Sequence, residues 1–411
     1  MKYTNIDINK IKENAIKEII NNKKLVFDIA EKIWNYKELS LEEYKSSKLY
    51  IETLKKAGFD VKTNFDGIKT AFLGKFGSGK PVIGILAEYD ALNGIGHGCG
   101  HNLLGAGSLA AALSLKKVLN KGTILFYGCP GEEAAASKSY YVKDNLFKNV
   151  DAVITWHPND SSQVNTGSTN AVIQTEYTFI GKSAHAAKCP EKGRSALDAV
   201  EIMNVGVQFL REHMDEKARI HYAITNTGGV SPNVVQDIAK VTYMVRSPLI
   251  KDAMTLQKRV DKIAKGAALI TETKFTKKFI DANSNFLPSQ SLSKIMYTNA
   301  IKILKNIKPL DKSAEFRASS TDVGDVSQVV PTIEAYVKTW STGTEMHTKK
   351  SAMESNSLFA KNSMLDASKI IATTAIDLIY DEKYLKDSKK EFKKRKKFIS
   401  PIPKNAKLIC K

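Results

Sequence analysis

The residues best suited to chemistry lie in four separate segments of the chain. The first is a glycine-rich loop, Gly96-His97-Gly98-Cys99-Gly100-His101-Asn102, and the second is the adjacent pair Glu132-Glu133. The other two are marked by single histidines, His157 and His347. Thiolate, imidazole and carboxylate groups are the ligands that zinc and similar transition metals take from proteins. The residue types therefore favour metal-ion chemistry, provided that the fold brings the four segments together.

The pattern of apolar residues indicates how that could happen. Short apolar runs predict β-strands at residues 82–87, 123–127, 152–156 and 333–337, with a helix at about residues 103–119 between the first two. Alternation of helices with wholly apolar strands is typical of a mostly parallel sheet that is covered on both faces. Each of the four segments follows one of these strands, and open α/β sheets bind ligands beyond the carboxyl ends of their strands. We therefore expect the four segments to meet in one crevice.

Each segment on its own has an ordinary explanation. Two adjacent glutamates suit the first turn of a helix, and single histidines near strand ends are usually hydrogen-bonded polar residues. Cys99 lies close to two histidines and offers a different chemistry, that of a thiol nucleophile. The nucleophile hypothesis leaves Glu133, His157 and His347 without a role, so the metal interpretation is favoured.

The order of predicted elements divides the chain into a main domain and an insertion. Residues 171–285 read as strand, helix, strand, strand, helix, strand, which is the pattern of a ferredoxin-like unit. Residues 1–170 and 286–385 then form the two parts of one α/β catalytic domain. Residues 386–411 contain the run KKEFKKRKK and are predicted to be an exposed basic tail. Near the N-terminus, Ser40 and Glu43 predict a capping box for a helix that ends at Gly58.

Composition limits the partners and the location of the protein. The 411 residues carry a formal net charge of +19, but the lysines are spread along the chain, which favours a solvated lysine-rich surface over a nucleic-acid site. The sequence shows no signal peptide and no apolar run of about 18 residues that would span a membrane. Four widely spaced cysteines do not resemble a disulfide framework. We expect a cytoplasmic protein without membrane or nucleic-acid partners.

The same segments resemble a known family. The chain is similar to the metallopeptidases and amidohydrolases that include aminoacylase, carnosinase and glutamate carboxypeptidase. It is most similar to the subfamily with aminobenzoyl-glutamate hydrolase subunits, auxin-conjugate hydrolases and Xaa-Arg (β-alanyl-lysine) dipeptidases. The matching segments run through nearly the whole chain in the family's order: AEYDALNGIGHGCGHNLLGAG, GCPGEEAAASK, WHP, GKSAHAA, GGVSPNVV, SSTDVGDVSQVVP and Met346-His347-Thr348. The insertion resembles the family's lid, which also serves as its dimerisation domain.

The resemblance implies a role for each matching residue. It makes the following residues ligands of two divalent metal ions, with Cys99 in a bridging position: Cys99, His101, Glu133, His157 and His347. Glu132 would be the general base and acid that activates the attacking water, and Asp90 would support the ligands from behind. In the lid, His185 would stabilise the oxyanion in the partner subunit's active site. Asn233 and Arg246 would hold the carboxylate of the substrate.

The implied activity is cleavage of the amide bond of a dipeptide or an N-acyl amino acid. Asn102 stands where many auxin-conjugate-type members have aspartate, which favours the branch of aminobenzoyl-glutamate hydrolases and Xaa-Arg dipeptidases. Within it we expect a dipeptidase that prefers a basic C-terminal residue, with p-aminobenzoyl-glutamate hydrolysis as the alternative. Zinc, manganese and cobalt all remain possible metals. A non-catalytic protein that binds peptides or nucleic acid is the alternative from another class, and a homodimer is the expected assembly.

Overall fold

A computed structural model gives the architecture and describes residues 7–310, 316–395 and 397–408. The helices are α1 (Ile8–Asn21), α2 (Lys23–Tyr36), α3 (Tyr44–Lys56), α4 (His101–Val118), α5 (Ser137–Lys143), α6 (Ala196–Arg211), α7 (Ile250–Ile270), α8 (Gln290–Ile303), α9 (Val323–Val329), α10 (Lys349–Glu354), α11 (Leu358–Tyr380) and α12 (Glu382–Phe392). The strands are β1 (Asp60–Thr63), β2 (Phe72–Ser78), β3 (Val82–Ala87), β4 (Gly122–Gly128), β5 (Ala152–Asn159), β6 (Gln163–Val164), β7 (Ala171–Ile180), β8 (Arg219–Asn226), β9 (Ile238–Ser247), β10 (Lys274–Asn283) and β11 (Thr332–Lys338). No helix in these residues is both long and apolar enough to cross a bilayer.

The larger sheet has seven strands in the order β1-β2-β4-β3-β5-β11-β6. Its four central strands, β4, β3, β5 and β11, run parallel. Side chains alternate between the two faces of each strand: Ile83 and Ile85 pack in the core formed with α4 and α11, whereas Leu86 packs in the core formed with α5 and α9. The sheet is therefore covered by helices on both faces, which explains why its central strands read as continuous apolar runs.

The insertion forms a second sheet with its own core. Strands β7, β8, β9 and β10 form an antiparallel sheet in the order β10-β7-β9-β8. Helices α6 and α7 cover one face, where alternate residues such as Val241, Tyr243 and Val245 are buried. The chain order is strand, helix, strand, strand, helix, strand. The predicted fold class, a mostly parallel α/β domain with an inserted ferredoxin-like lid, is confirmed.

The end of the chain is attached to the catalytic domain at some residues of the tail that we predicted to be exposed. Residues 389–392 belong to α12, and Glu391 accepts hydrogen bonds from the backbone amides of Gln290 and Ser291 at the start of α8. Arg395 donates to the carbonyl oxygens of Leu287 and Ser327 at 2.9 and 2.8 Å. Lys390, Lys393 and Lys394 in the charge run are exposed, as predicted, whereas Glu391 and Arg395 have fixed partners in the catalytic domain. Lys396 and residues 409–411, with Cys410, lie outside the described residues.

The predicted capping box at Ser40 and Glu43 is also wrong. Helix α3 begins at Tyr44 and has no side-chain hydrogen bond at its N-cap, Glu43. The Glu43 carboxylate instead accepts from the backbone amides of Leu41 and Gly131. Ser40 donates its hydroxyl hydrogen to Asp90 at 2.9 Å. Both residues therefore connect the N-terminal helices to the segments that follow β3 and β4, where the candidate site lies.

Candidate metal centre

The glycine-rich loop between β3 and α4 owes its path to its glycines. Gly100 has a φ of +75°, and a Cβ atom there would come within 2.8 Å of the Pro158 ring. A Cβ atom at Gly98 would come within 2.9 Å of the Ile95 side chain and 3.3 Å of the His347 Cα atom. Glycine adopts this left-handed conformation and this close approach without strain. The loop can therefore place Cys99 against the β5 and β11 segments.

The structure brings the five predicted ligand residues together. The Cys99 Sγ atom lies 3.5 Å from Nε2 of His157 and 3.5 Å from Nε2 of His347. His347 Nε2 lies 3.5 Å from Glu133 Oε2. Three sets of three residues each offer ligand atoms within 4.8 Å of one another: Cys99 with His101 and His157, Cys99 with Glu133 and His347, and His101 with Glu132 and Glu133. Cys99, His101 and Glu133 each belong to two of these sets.

Hydrogen bonds on the outer side of the imidazole rings fix their orientation. Nδ1 of His101 contacts Asp90 Oδ1 at 2.9 Å, and Nδ1 of His157 contacts the carbonyl oxygen of Pro158 at 2.7 Å. Both rings therefore direct Nε2 inward, as metal-binding histidines usually do. Burial lowers the pKa of His157 to about 4, which keeps its imidazole neutral, the form that binds metal ions.

The polar atoms at the centre of this cluster fit a bound cation. His101 Nε2 and Glu133 Oε1 are buried and have no hydrogen-bond partner among the described residues. Glu88 Oε2 is 3.2 Å from His101 Nε2 but does not meet hydrogen-bond geometry. Buried polar atoms in proteins are nearly always paired. A divalent cation would satisfy these atoms, and the sulfur, nitrogen and oxygen donors suit zinc and similar metals.

His97, which matches the sequence pattern but was not assigned as a ligand, lies outside the cluster. Its Nε2 contacts the carbonyl oxygen of Ile33 at 2.9 Å, in helix α2. It belongs to none of the three sets of candidate ligand atoms. His97 therefore joins the loop to the N-terminal helices instead of facing the other ligands.

Glu132 lies next to the ligand cluster and faces the same cavity. Its carboxylate oxygen is within 4.8 Å of ligand atoms of His101 and Glu133. Burial raises its pKa well above that of an ordinary glutamate, and the carboxylates of Glu88 and Glu133 add to the shift. A carboxyl group with a raised pKa is suited to accept a proton and later return it.

Three charged residues behind Glu132 were missed by the sequence analysis. Lys138 is fully buried and pairs with Glu88 at 2.8 Å and Asp322 at 2.7 Å. Its backbone amide also donates to Asp322 at 3.0 Å. Each of the three lies in one of the segments that matched the family. Their position as charged residues within matching motifs was the only sign in the sequence that they could have a role. Nothing in the sequence showed that the three would pair.

A cavity of about 370 Å³ opens in front of the cluster. Its walls include Cys99, Glu132 and His347 from the catalytic domain and Arg246 from the lid. Arg246 Nη1 donates to Ser320 Oγ at 2.8 Å. The volume falls within the usual range for small-molecule sites. The cavity therefore joins the ligand cluster to a guanidinium group in one space.

The other two predicted lid residues lie elsewhere. His185 and Asn233 are not buried, and neither lines the cavity. They are neighbours in the lid, where the backbone amide of Ala186 donates to the carbonyl oxygen of Asn233 at 2.9 Å. Within one protomer, the structure therefore places Arg246 at the site but not His185 or Asn233.

The chain is similar to several known proteins. The family described as "Peptidase dimerisation domain" matches residues 167–272. The chain is 38% identical to a component of the p-aminobenzoyl-glutamate hydrolase of Escherichia coli, over 92% of this chain and 94% of that protein. It is 30% identical to the Xaa-Arg dipeptidase of Mus musculus, over 94% and 93% of the two chains. A solved dinuclear metal-binding peptidase of the M20 family from Bacillus subtilis has the same fold, with a TM-score of 0.63 and 19% identity over 87% of this chain and 98% of that one.

The fold, the ligand cluster and these relatives define a metallopeptidase-type hydrolase that acts on amide or peptide bonds. A non-catalytic binding protein is not supported, because every predicted ligand residue lies in the cluster and relatives that match nearly the whole chain are hydrolases. The chain belongs to the M20 family of metallopeptidases. The resemblance drawn from the sequence motifs is confirmed.

Proposed function

We propose that the protein is a dipeptidase or amidohydrolase that uses two divalent metal ions. The observation that carries this proposal is the position of Cys99, whose sulfur lies within 4.8 Å of two separate pairs of ligand atoms, those of His101 and His157 and those of Glu133 and His347. His101 and His157 would complete one ion's ligands, and Glu133 and His347 the other's. Sulfur and nitrogen donors favour zinc, and manganese or cobalt would also suit this mixed set.

The residues of the chain divide the chemical work. When bound, the metal ions lower the pKa of water and polarise the scissile carbonyl. Glu132 accepts the proton of the attacking water and returns it to the nitrogen of the leaving amine. Its raised pKa allows it to hold that proton between the two steps. Asp90 keeps His101 oriented throughout.

The lid would bind the carboxylate of the substrate. Arg246 makes no ion pair within the described residues, and its guanidinium group faces the cavity. Arginine is well suited to hold a carboxylate through two parallel hydrogen bonds. Asn233 would assist, and the partner subunit's His185 would donate a hydrogen bond to the developing oxyanion. The position of His185 and Asn233 away from the cavity of their own protomer supports a role across a dimer.

A homodimer would form through the edge of the lid. Strand β8 is at the edge of its sheet, and Val205 and Phe209 on α6 are 54% and 72% exposed. An open strand edge beside exposed apolar side chains is typical of a surface that another chain covers. Lysine at both positions, Val205→Lys and Phe209→Lys, should give a monomer in light scattering. A double variant that still had the wild-type mass would contradict this interface.

The proposed location is the cytoplasm. The three cysteines that the structure describes, Cys99, Cys129 and Cys189, form no disulfide. Free thiols are maintained in reducing compartments.

The favoured substrate is a dipeptide with a basic C-terminal residue, as the Xaa-Arg dipeptidase relatives suggest. The second candidate is p-aminobenzoyl-glutamate, the substrate named for the 38% identical relative. A specific observation supports it: Arg317 also lines the cavity and stacks over Tyr336 at 3.9 Å. A second guanidinium group could hold the side-chain carboxylate of glutamate.

The test is hydrolysis of a panel by purified protein supplied with zinc, manganese or cobalt, read by amine release. The panel contains β-alanyl-lysine, alanyl-arginine, aminobenzoyl-glutamate and N-acetyl amino acids. We expect metal-dependent cleavage, fastest for the basic dipeptides, and loss of activity with a chelator. Faster cleavage of aminobenzoyl-glutamate would select the second candidate. Cleavage that a chelator leaves unchanged would contradict the metal mechanism.

A further inference from the structure

One face of the lid sheet forms a wall of the cavity. Pairs of residues two apart on three adjacent strands line it: Val172 and Gln174 on β7, Met244 and Arg246 on β9, and Asp281 and Asn283 on β10. Because side chains alternate along a strand, residues two apart point to the same side. The register places these residues in two rows, 283–172–246 and 281–174–244.

This wall carries two charged groups of opposite sign. Arg246 donates to Ser320 but forms no ion pair within the described residues. Asp281 also forms no ion pair there, and its Oδ1 atom is buried without a hydrogen-bond partner among the described residues. By contrast, the buried Glu334 in the same cavity accepts from Asn165 at 3.0 Å. Arg246 and Asp281 therefore both lack a counter-charge that a ligand could supply.

The local structure of β10 directs Asp281 to the cavity. The pairing of β10 with β7 shifts register between Phe279 and Asp281, which marks a β-bulge. Bulges re-aim the side chains that follow them and are common beside active sites. Without the shift, the alternation of side chains along β10 would point Asp281 to the other face of the sheet, away from the cavity.

The spacing of the two charges suits one small molecule. Arg246 and Asp281 are two strands and one row apart, so their Cα atoms are separated by on the order of 11 Å. Both side chains face the cavity. A separation of this size suits a small molecule with a carboxylate at one end and a cationic nitrogen at the other.

We propose that Asp281 is the specificity residue that binds a cationic group, ammonium or guanidinium, on a substrate whose carboxylate is held by Arg246. The inference rests on the proposed function and deepens it, because it selects dipeptides that carry a cationic group over aminobenzoyl-glutamate. An aspartate carboxylate beside the side chain of a substrate glutamate would repel it. Two parts of a dipeptide can supply the cation: the side chain of the C-terminal residue or the free N-terminal amine.

The test compares wild-type protein with Asp281→Asn, which keeps the shape of the side chain and removes its charge. Asp252→Asn on α7 is the matched control, because Asp252 is exposed and does not line the cavity. Three substrates separate the two sources of charge. Alanyl-arginine has both cations, alanyl-citrulline lacks the guanidinium charge, and propionyl-arginine lacks the amine.

We expect Asp281→Asn to lower kcat/KM for alanyl-arginine about tenfold to a hundredfold, the range for losing a hydrogen bond to a charged group. The substrate whose kcat/KM the variant leaves unchanged is the one that lacks the cation bound by Asp281. Asp252→Asn should match wild type. An equal loss on all three substrates, or none on any, would overturn the proposal.

A binding measurement separates this proposal from the proposed function. Isothermal titration of metal-loaded protein with L-arginine and with L-citrulline needs no turnover. Where the guanidinium is the bound cation, wild-type protein should bind arginine more tightly, and Asp281→Asn should remove the difference. Where the N-terminal amine is the bound cation, the ligands compared are alanyl-citrulline and propionyl-citrulline. They are titrated into the Glu132→Gln variant so that they are not cleaved during the measurement. If the wild type cleaves no amide but still binds the cationic ligand more tightly than the uncharged one, and Asp281→Asn removes that difference, the proposed function fails and the inference stands. Active protein without such discrimination would overturn the inference alone.

Discussion

The Asp90 carboxylate contacts Nδ1 of His101 at 2.9 Å, and both side chains are fully buried. The other oxygen of Asp90 accepts hydrogen bonds from Ser40 Oγ at 2.9 Å and from the backbone amide of Glu133 at 3.0 Å. One carboxylate thus orients one candidate metal ligand through its ring and another through its backbone. This connection links the segment after β3 to the segment after β4.

Replacing Asp90 should therefore weaken metal binding more than folding. Asp90→Asn keeps the size of the side chain but removes the charge that orients His101, and such partners typically contribute roughly 10- to 100-fold in metal affinity. Titration with a competing chelator measures that affinity. Asp252→Asn serves as the control and should bind metal like wild type. Unchanged affinity in Asp90→Asn would contradict the assignment of Asp90 as a supporting residue.

Lys138 is expected to matter for stability. It pairs with both of the buried carboxylates Glu88 and Asp322, and removing one partner from a buried ion pair costs about 3–5 kcal/mol. Lys138→Met should lower the free energy of unfolding by that order in denaturant titrations. The control is Lys386→Met, which breaks an exposed pair with Glu382 and should have no measurable effect. Equal stability of the two variants would show that the buried network is unimportant.

Mixing two inactive variants tests whether His185 acts across the dimer. His185→Ala and Glu132→Gln should each be inactive, but a mixed dimer contains one site with an intact Glu132 and an intact His185 from the other subunit. Random exchange of subunits should restore about a quarter of the wild-type activity. Activity is measured after unfolding and refolding the two variants together. A mixture as inactive as its components would place His185 in its own subunit's site or outside catalysis.

Selectivity for a cationic substrate should depend on pH through Asp281. Burial raises the pKa of Asp281 to about 7, with Asp322 and Asp325 adding to the shift. Tyr140 also lies close enough to interact with the Asp281 carboxylate. A carboxyl group with a raised pKa is protonated, and therefore uncharged, below that pH, so its attraction for a cation is lost as the pH falls.

The measured quantity is the kcat/KM for alanyl-arginine divided by that for propionyl-citrulline, which carries neither the guanidinium nor the amine. This ratio should decrease as the pH is lowered from about 8 to about 6. Ionisations of the enzyme that affect both substrates equally cancel in the ratio. In Asp281→Asn the ratio should be low and independent of pH. A wild-type ratio that is flat over this range would show that the ionisation of Asp281 does not control selectivity.

The sequence predicted the features that depend on local patterns. Strand β3 has the predicted bounds, and β5 and β11 lie where apolar runs marked them, because strands buried on both faces need continuous apolar residues. The meeting of Cys99, Glu133 and His347 followed from the general rule that ligands bind at the carboxyl ends of parallel strands.

Features that depend on distant partners were not predicted. Ser40 and Glu43 fit a local capping motif, but tertiary hydrogen bonds to Asp90 and Gly131 determine their positions. The pairing of Lys138 with carboxylates 50 residues before it and 184 after it leaves no periodic signal in the sequence. Similarly, the charge density around Glu391 indicated exposure, although its partners lie about 100 residues earlier in the chain.

The most direct test of the central claim is to measure both the turnover number and the metal content of the Glu132→Gln variant and to compare them with those of wild type. The substrate is the best one found in the panel, and metal is counted by mass spectrometry of the purified protein. The proposed mechanism predicts that the variant folds, binds the same two metal ions as wild type, and loses about a hundredfold to ten-thousandfold in kcat because no base accepts the proton of the water. Full turnover by a variant with the wild-type metal content would contradict it.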